Sequence, residues 1–149
     1  MRFRYSTVIC VIMLLSVSGF AQDSASWKIV LNKKAVFTSS PGADTSANLL
    51  KIKKSDLDNN GIFKVEYTEP KNNPTRTWVR TVAIFDTASN VVVQRDSATL
   101  LQLYNRDIMK ILWSRKRILV YSWTAPADPG MAAAVRIRRT HLCTIELLD

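Results

Sequence analysis

Arg139 and His141 are the residues of this chain whose types and spacing could most readily do chemistry. They lie two positions apart in the stretch DPGMAAAVRIRRTHLCTIELL, residues 128–148, and His141 is the only histidine in the sequence. The apolar residues of the stretch occupy alternate positions: Val135, Ile137, Cys143, Ile145 and Leu147. Asp128 as N-cap and Pro129 at the first helical position predict a single helical turn. The alternation predicts one long half-buried strand from Val135. Arg139 and His141 share the parity of the apolar positions, so an unbroken strand would point both side chains inward.

Two interpretations of this parity remain open. A β-bulge near Arg138–Thr140 would reverse the alternation, or Arg139 would span the sandwich edge with its guanidinium in water. This interpretation is favoured, because charged side chains are rarely buried without partners. Alternatively, Arg139 and His141 line a pocket and pair with a carboxylate such as Glu66 or Asp86, since an unpaired buried charge is costly.

The arginines on the other parity predict a binding surface. Arg136 and Arg138 fall on the outer face of the predicted last strand, and Arg115, Lys116 and Arg117 form a basic loop that could extend the surface. The guanidinium fork bonds carboxylates and phosphates through two parallel hydrogen bonds. We therefore expect any anionic ligand to contact these five residues, together with Arg139 and His141.

No metal site and no cofactor are predicted. Residues 56–61, DLDNNG, match the first half of an EF-hand calcium loop, but Tyr67 stands where the loop requires a glutamate. A hairpin turn with Asn60 and Gly61 at positive φ is the favoured interpretation. A single histidine cannot build a typical zinc site. Cys143 is predicted to be a core residue without a disulfide partner.

The N-terminus predicts a secretory signal peptide over residues 1–21. Arg2 and Arg4 precede an apolar run that is too short for a confident membrane span, and small residues end at Ala21. The mature chain, residues 22–149, is predicted to be a single domain, periplasmic or extracellular, without a transmembrane segment. Loss of the two arginines lowers the net charge from +9 to about +7. Expected partners are an anionic polysaccharide, a lipid head group or an acidic protein, whereas export disfavours nucleic acid. The sequence does not give an oligomeric state.

Alternating apolar residues and closely spaced turn signals predict the fold, and the clearest strand signal is the alternation of Phe63, Val65 and Tyr67 with polar residues. We expect an all-β domain: a mostly antiparallel sandwich, or a partly open barrel, of seven to nine strands with one or two short helices. Residues 77–86 are apolar on both faces in their second half, which predicts a central strand paired with residues 91–93. Residues 98–113 predict a strand and then a short helix with Asn105 as N-cap. An α+β fold with a larger helix there is the alternative.

Three functional hypotheses follow. The favoured one is an exported, non-enzymatic binding module that uses the arginines, because no catalytic constellation such as a nucleophile elbow or a phosphate-binding glycine loop is present. The second is a small hydrolase that uses His141 with a carboxylate. The third is a structural envelope protein that self-associates through an edge strand.

Overall fold

A computed structural model describes residues 25–39, 48–57, 60–69 and 78–148. The predicted signal peptide lies outside the described residues. Nine strands and three helices follow one another in the described ranges. In chain order they are β1 (Ser26–Leu31), β2 (Lys34–Ser39), β3 (Leu49–Lys53), α1 (Lys54–Leu57), β4 (Ile62–Thr68), β5 (Trp78–Asp86), β6 (Val91–Arg95), β7 (Leu100–Tyr104), α2 (Asn105–Arg115), β8 (Arg117–Pro126), α3 (Pro129–Ala134) and β9 (Thr140–Leu148).

The strands form two sheets that share one hydrophobic core. The first sheet has the order β2-β1-β4-β7, and the second has the order β3-β9-β8-β5-β6. Every neighbouring pair is antiparallel except β3 and β9, which run parallel. Buried side chains of both sheets belong to a single cluster. The predicted all-β sandwich is confirmed, with three short helices rather than one or two and without closure into a barrel.

Strand β4 shows how the alternating pattern becomes a core face. Phe63 and Val65 are fully buried, while Lys64 and Glu66 lie on the opposite side of the sheet. Burying one such apolar side chain contributes roughly 1.5–3 kcal/mol to the free energy of unfolding. The period of two in the sequence therefore determines which face of this strand is buried.

Strand β5 is an interior strand of the second sheet, as predicted. It lies between β8 and β6, and Val82–Phe85 are buried on both faces. Ile84 points into the core between the sheets, and Phe85 points to the other side of its own sheet. Phe85 is only 2% exposed, so the outer face of the second sheet is covered at this position.

Two local predictions were wrong. Asn105 is the first residue of α2 and is fully buried, and Tyr104 is the N-cap. The Asn105 Nδ2 donates to Asn32 Oδ1 at 2.9 Å, so its side chain joins α2 to the loop after β1 rather than capping the helix. Asn60 and Gly61 do not form a hairpin turn, because β3 and β4 lie in different sheets.

Among the helices of the described ranges, none combines the length and the apolar character needed to cross a membrane.

Candidate functional site

Helix α3 positions the arginine-rich residues that follow it. As predicted, Asp128 caps the helix, with its Oδ1 accepting from the Gly130 N–H at 2.9 Å, and Pro129 begins it. The helix ends at Ala134, and Val135 already has extended dihedrals (φ −105°, ψ 134°). Residues 135–139 then continue as an exposed chain without regular structure. We call residues 135–139 the arginine segment.

The arginine segment corrects the prediction of one long final strand. Strand β9 begins only at Thr140. Val135 and Ile137, predicted to face the core, are exposed. Arg136 and Arg138 therefore lie on a connection that precedes the strand and not on the outer face of the strand itself.

A β-bulge at Leu142 decides where His141 points. Cys143 lies opposite Val120 and His141 lies opposite Tyr121, so Leu142 is an extra residue in β9. Cys143 faces the core with Val120, while His141 lies with Tyr121 on the outer face of the second sheet. The favoured interpretation of a bulge is confirmed, although the bulge lies C-terminal to the predicted Arg138–Thr140.

Arg139 is held by aromatic rings. Its guanidinium carbon lies 4.9 Å from the ring centroid of Phe85 and 5.3 Å from that of Trp123. Tyr121 packs edge-on against Phe85 at 5.4 Å, and His141 packs against Tyr121 at 5.2 Å. A cation over ring faces at these distances is attracted by the ring quadrupoles. Arg139 thus ties the end of the arginine segment to the outer face of the second sheet.

The two carboxylates predicted to pair with Arg139 or His141 are engaged elsewhere. Glu66 belongs to the first sheet and binds Lys28 at 2.9 Å. Asp86 accepts hydrogen bonds from the side chain and backbone of Asn90 and from the backbone of Ala88. These bonds, led by the side-chain bond from Asn90, lower the pKa of Asp86 below its ordinary value of 3.8. The predicted ion pair is therefore not formed with either carboxylate.

Arg136 and Arg138 are exposed to solvent. Neither forms an ion pair with another described residue. An open groove of about 760 Å³ is lined by Arg136, Ile137, Arg138 and Arg139. Two unpaired guanidinium groups beside an exposed isoleucine are suited to an anionic ligand with an apolar element.

The predicted basic loop, in contrast, is divided among separate partners. Arg115 ends α2 and its Nε lies 4.0 Å from Asp86 Oδ2. Lys116 is the C-cap with φ 60°, and its Nζ lies 5.3 Å from the ring centroid of Trp113. Arg117 opens β8 and binds Glu146 at 3.2 Å. The structure therefore does not bring these three residues together as one anion site.

His141 has a hydroxyl neighbour. Its Nε2 lies 3.1 Å from the Thr144 Oγ1, and the imidazole is partly buried against Tyr121. An imidazole beside a hydroxyl can act as a general base toward it. The hydrolase hypothesis from the sequence paired His141 with a carboxylate, whereas the neighbour in the structure is the Thr144 hydroxyl.

The remaining candidates for chemistry are structural. No group of three or more His, Cys, Asp or Glu side chains suited to a metal ion occurs within the described ranges. Asp58, part of the half calcium loop, lies outside the described residues, and Asp56 Oδ2 accepts from the Lys53 N–H at 3.0 Å. Cys143 is fully buried, and desolvation raises the pKa of its thiol from 9.0 to about 12, so it is a core residue.

Arg80 and Trp113 were not singled out from the sequence. Arg80 shares the inward parity of Val82 and Ile84, and its guanidinium lies over the Tyr67 ring. This shared parity could have identified Arg80 from the sequence as an inward-facing residue. Trp113 is exposed on α2. No pattern in the helix sequence distinguished it from the buried apolar residues.

Comparison with protein-family models finds no family that matches the sequence, and comparison with curated proteins finds no relative.

Proposed function

We propose that the protein is an exported, non-enzymatic binding module and that the arginine segment, residues 135–139, is its binding surface for an anionic ligand. The ligand chemistry is a carboxylate or a phosphate, carried by an envelope polysaccharide or by an acidic protein. The observation that carries the proposal is the exposure of Arg136 and Arg138, without ion pairs among the described residues, on a segment anchored at both ends.

The anchoring supports binding because it reduces the entropy that a ligand must remove. On one side, the segment continues from helix α3, whose first turn is ordered by the Asp128 cap although none of its side chains is buried. On the other, Arg139 stacks on Phe85 and Trp123 before β9 begins. A segment that is already held in place loses less conformational freedom on binding than a free loop does. Arg139 therefore acts as a positioning residue, and Arg136 and Arg138 make the contacts.

The test compares thermal unfolding of wild type and the double variant Arg136→Ala/Arg138→Ala in the presence of heparin and, separately, of polyglutamate. A ligand that binds the native state raises the unfolding midpoint by mass action. We expect heparin or polyglutamate to raise the midpoint of wild type in a salt-sensitive manner and to leave that of the double variant almost unchanged. Whichever polymer acts identifies the source of the anion.

A matched control separates the arginine segment from net charge. Arg95→Ala/Arg106→Ala removes the same two charges from exposed positions on β6 and α2. This variant should keep most of the midpoint shift. An equal loss of the midpoint shift in both double variants would show that the effect depends only on net charge, and it would contradict the proposal. Arg136→Lys/Arg138→Lys should bind more weakly than wild type if the guanidinium fork is used.

A small hydrolase is the second candidate, favoured by the 3.1 Å separation of His141 Nε2 and Thr144 Oγ1. It predicts turnover of an envelope polymer that is lost in both His141→Ala and Thr144→Val. Turnover that survives either change would contradict it.

Export is part of the proposal and has its own test. Expression of the full chain with residues 1–21 should yield a secreted protein that begins at Gln22, measured by intact mass. A chain that keeps Met1 or Arg2 at its N-terminus in the soluble cell fraction would contradict export.

A further inference from the structure

Trp113 is an exposed indole held between two lysines. Its side chain belongs to α2 and the residue is 57% exposed. Lys54 Nζ lies 4.9 Å from the ring centroid and Lys116 Nζ lies 5.3 Å from it. Lys110 is exposed and lies one turn earlier on the same helix, so it shares this face. We call Lys54, Lys110, Trp113 and Lys116 the Trp113 patch.

The fold keeps the Trp113 patch on the surface. The opposite face of α2 is anchored in the core through Ile108 and Leu112, which are fully buried. Lys116 is fixed by its backbone, because its N–H donates to the Leu112 carbonyl at 2.7 Å in the C-cap. Lys54 is the first residue of α1, which packs beside α2. The two helices thus present one aromatic ring and three ammonium groups together.

We propose that the Trp113 patch seats the protein on an anionic phospholipid surface. Indole rings favour the level of the lipid head groups, and lysine ammonium groups extend to the phosphates around them. A protein partner fits less well. Tryptophan is enriched in protein–protein interfaces, but lysine is depleted there, and the patch has three lysines. The net charge, +9 for the full chain and about +7 without Arg2 and Arg4, adds long-range attraction to an anionic bilayer.

This inference is independent of the proposed ligand of the arginine segment. The two surfaces share no residue, and they belong to different elements: α1 and α2 for the patch, and the connection between α3 and β9 for the segment. Arg136→Ala/Arg138→Ala is therefore expected to leave most vesicle binding intact.

The experiment is co-sedimentation of the secreted form, residues 22–149, with vesicles of equal parts phosphatidylglycerol and phosphatidylcholine, and with vesicles of phosphatidylcholine alone. We expect binding only to the anionic vesicles. Lys54→Gln/Lys116→Gln should lower the partition coefficient roughly 30-fold, because each basic residue near an anionic surface changes it about five-fold. Trp113→Ser should lower binding while leaving the charge unchanged. Residues 1–21 are left out of every variant, because their apolar run and two arginines would bind vesicles by themselves.

The matched controls are Lys33→Gln/Lys34→Gln, which removes two exposed lysines at the start of β2, and Tyr104→Ser, which removes another exposed aromatic ring. Both should bind nearly as wild type does. An equal loss in Lys33→Gln/Lys34→Gln, unchanged binding in Trp113→Ser, or no binding to anionic vesicles would each overturn the inference. Loss of vesicle binding in Arg136→Ala/Arg138→Ala with the patch variants unaffected would overturn it as well, and would assign the lipid to the arginine segment.

Discussion

The guanidinium carbon of Arg80 lies 3.6 Å from the ring centroid of Tyr67, so the two sheets of the sandwich meet through a cation and an aromatic face. The ring centroids of Trp27 and Tyr67 are 4.5 Å apart, so Arg80 lies against two adjacent aromatic rings. The Arg80 Nε is buried without a hydrogen-bond partner, and Nη1 reaches only Ser122 Oγ at 3.4 Å. No carboxylate within the described ranges pairs with this guanidinium. Stacking is therefore the main compensation for placing Arg80 between the sheets.

The first prediction measures this stacking by a double-mutant cycle of Arg80→Met and Tyr67→Leu. Urea denaturation should give a coupling free energy of about 1–2 kcal/mol, because both side chains are partly buried between the sheets. The exposed pair Arg106 and Tyr104, whose guanidinium carbon and ring centroid are 5.3 Å apart, is the matched control. Its cycle should give about 0.5–1 kcal/mol. Equal coupling in the two cycles would show that burial does not strengthen the Arg80 contact.

A second prediction concerns Arg139 as the anchor of the arginine segment. Arg139→Ala removes the contact with Phe85 and Trp123 and should lower the free energy of unfolding by about 1 kcal/mol. The freed segment should be cleaved faster by trypsin after Arg136 and Arg138, because local opening controls proteolysis. Peptide mapping of limited digests measures the rate at each site. Arg136→Ala is the control, since it removes one arginine without releasing the anchor.

The third prediction uses the raised pKa of Cys143. Between pH 9.0 and about 12 the unfolded thiol loses its proton while the folded thiol keeps it, so the unfolded state binds fewer protons. The free energy of unfolding therefore falls as pH rises through this window, by about 1.4 kcal/mol per pH unit for this group. Cys143→Ala should show a correspondingly smaller slope in urea denaturation between pH 9.5 and 11. Identical slopes for the two proteins would contradict the assignment.

A fourth prediction links Asp86 to Asn90. The hydrogen bonds of Asn90 hold the pKa of Asp86 below 3.8, so the carboxylate stabilises the fold above that pH and loses this effect as pH falls through its folded pKa. Asn90→Ala should move the pKa of Asp86 toward 3.8, measured by carboxyl-carbon NMR titration. Arg115→Ala should move it less, because the Arg115 charge is the smallest of the contributions that lower it. The reverse order of the two shifts would count against the hydrogen-bond explanation.

Local patterns in the sequence were sufficient for much of the fold. The alternation around Phe63 and Val65 predicted β4, and the doubly apolar run at Val82–Phe85 predicted an interior strand. Asp128 and Pro129 predicted the start of α3. Each of these features depends on residues that are close in sequence, because side-chain direction and capping are properties of the local backbone.

Tertiary structure alone decided the chemistry of the C-terminal stretch. The bulge at Leu142 places His141 on the outer face while the adjacent Leu142 and Cys143 are both buried in the core. The adjacent apolar residues Leu142 and Cys143 were the only local sign of it. The departure of residues 135–139 from the sheet depends on Phe85 and Trp123, which are distant in sequence from Arg139. Periodicity shows which residues share a face of a strand. Which element covers that face is decided by contacts between residues that are distant in sequence.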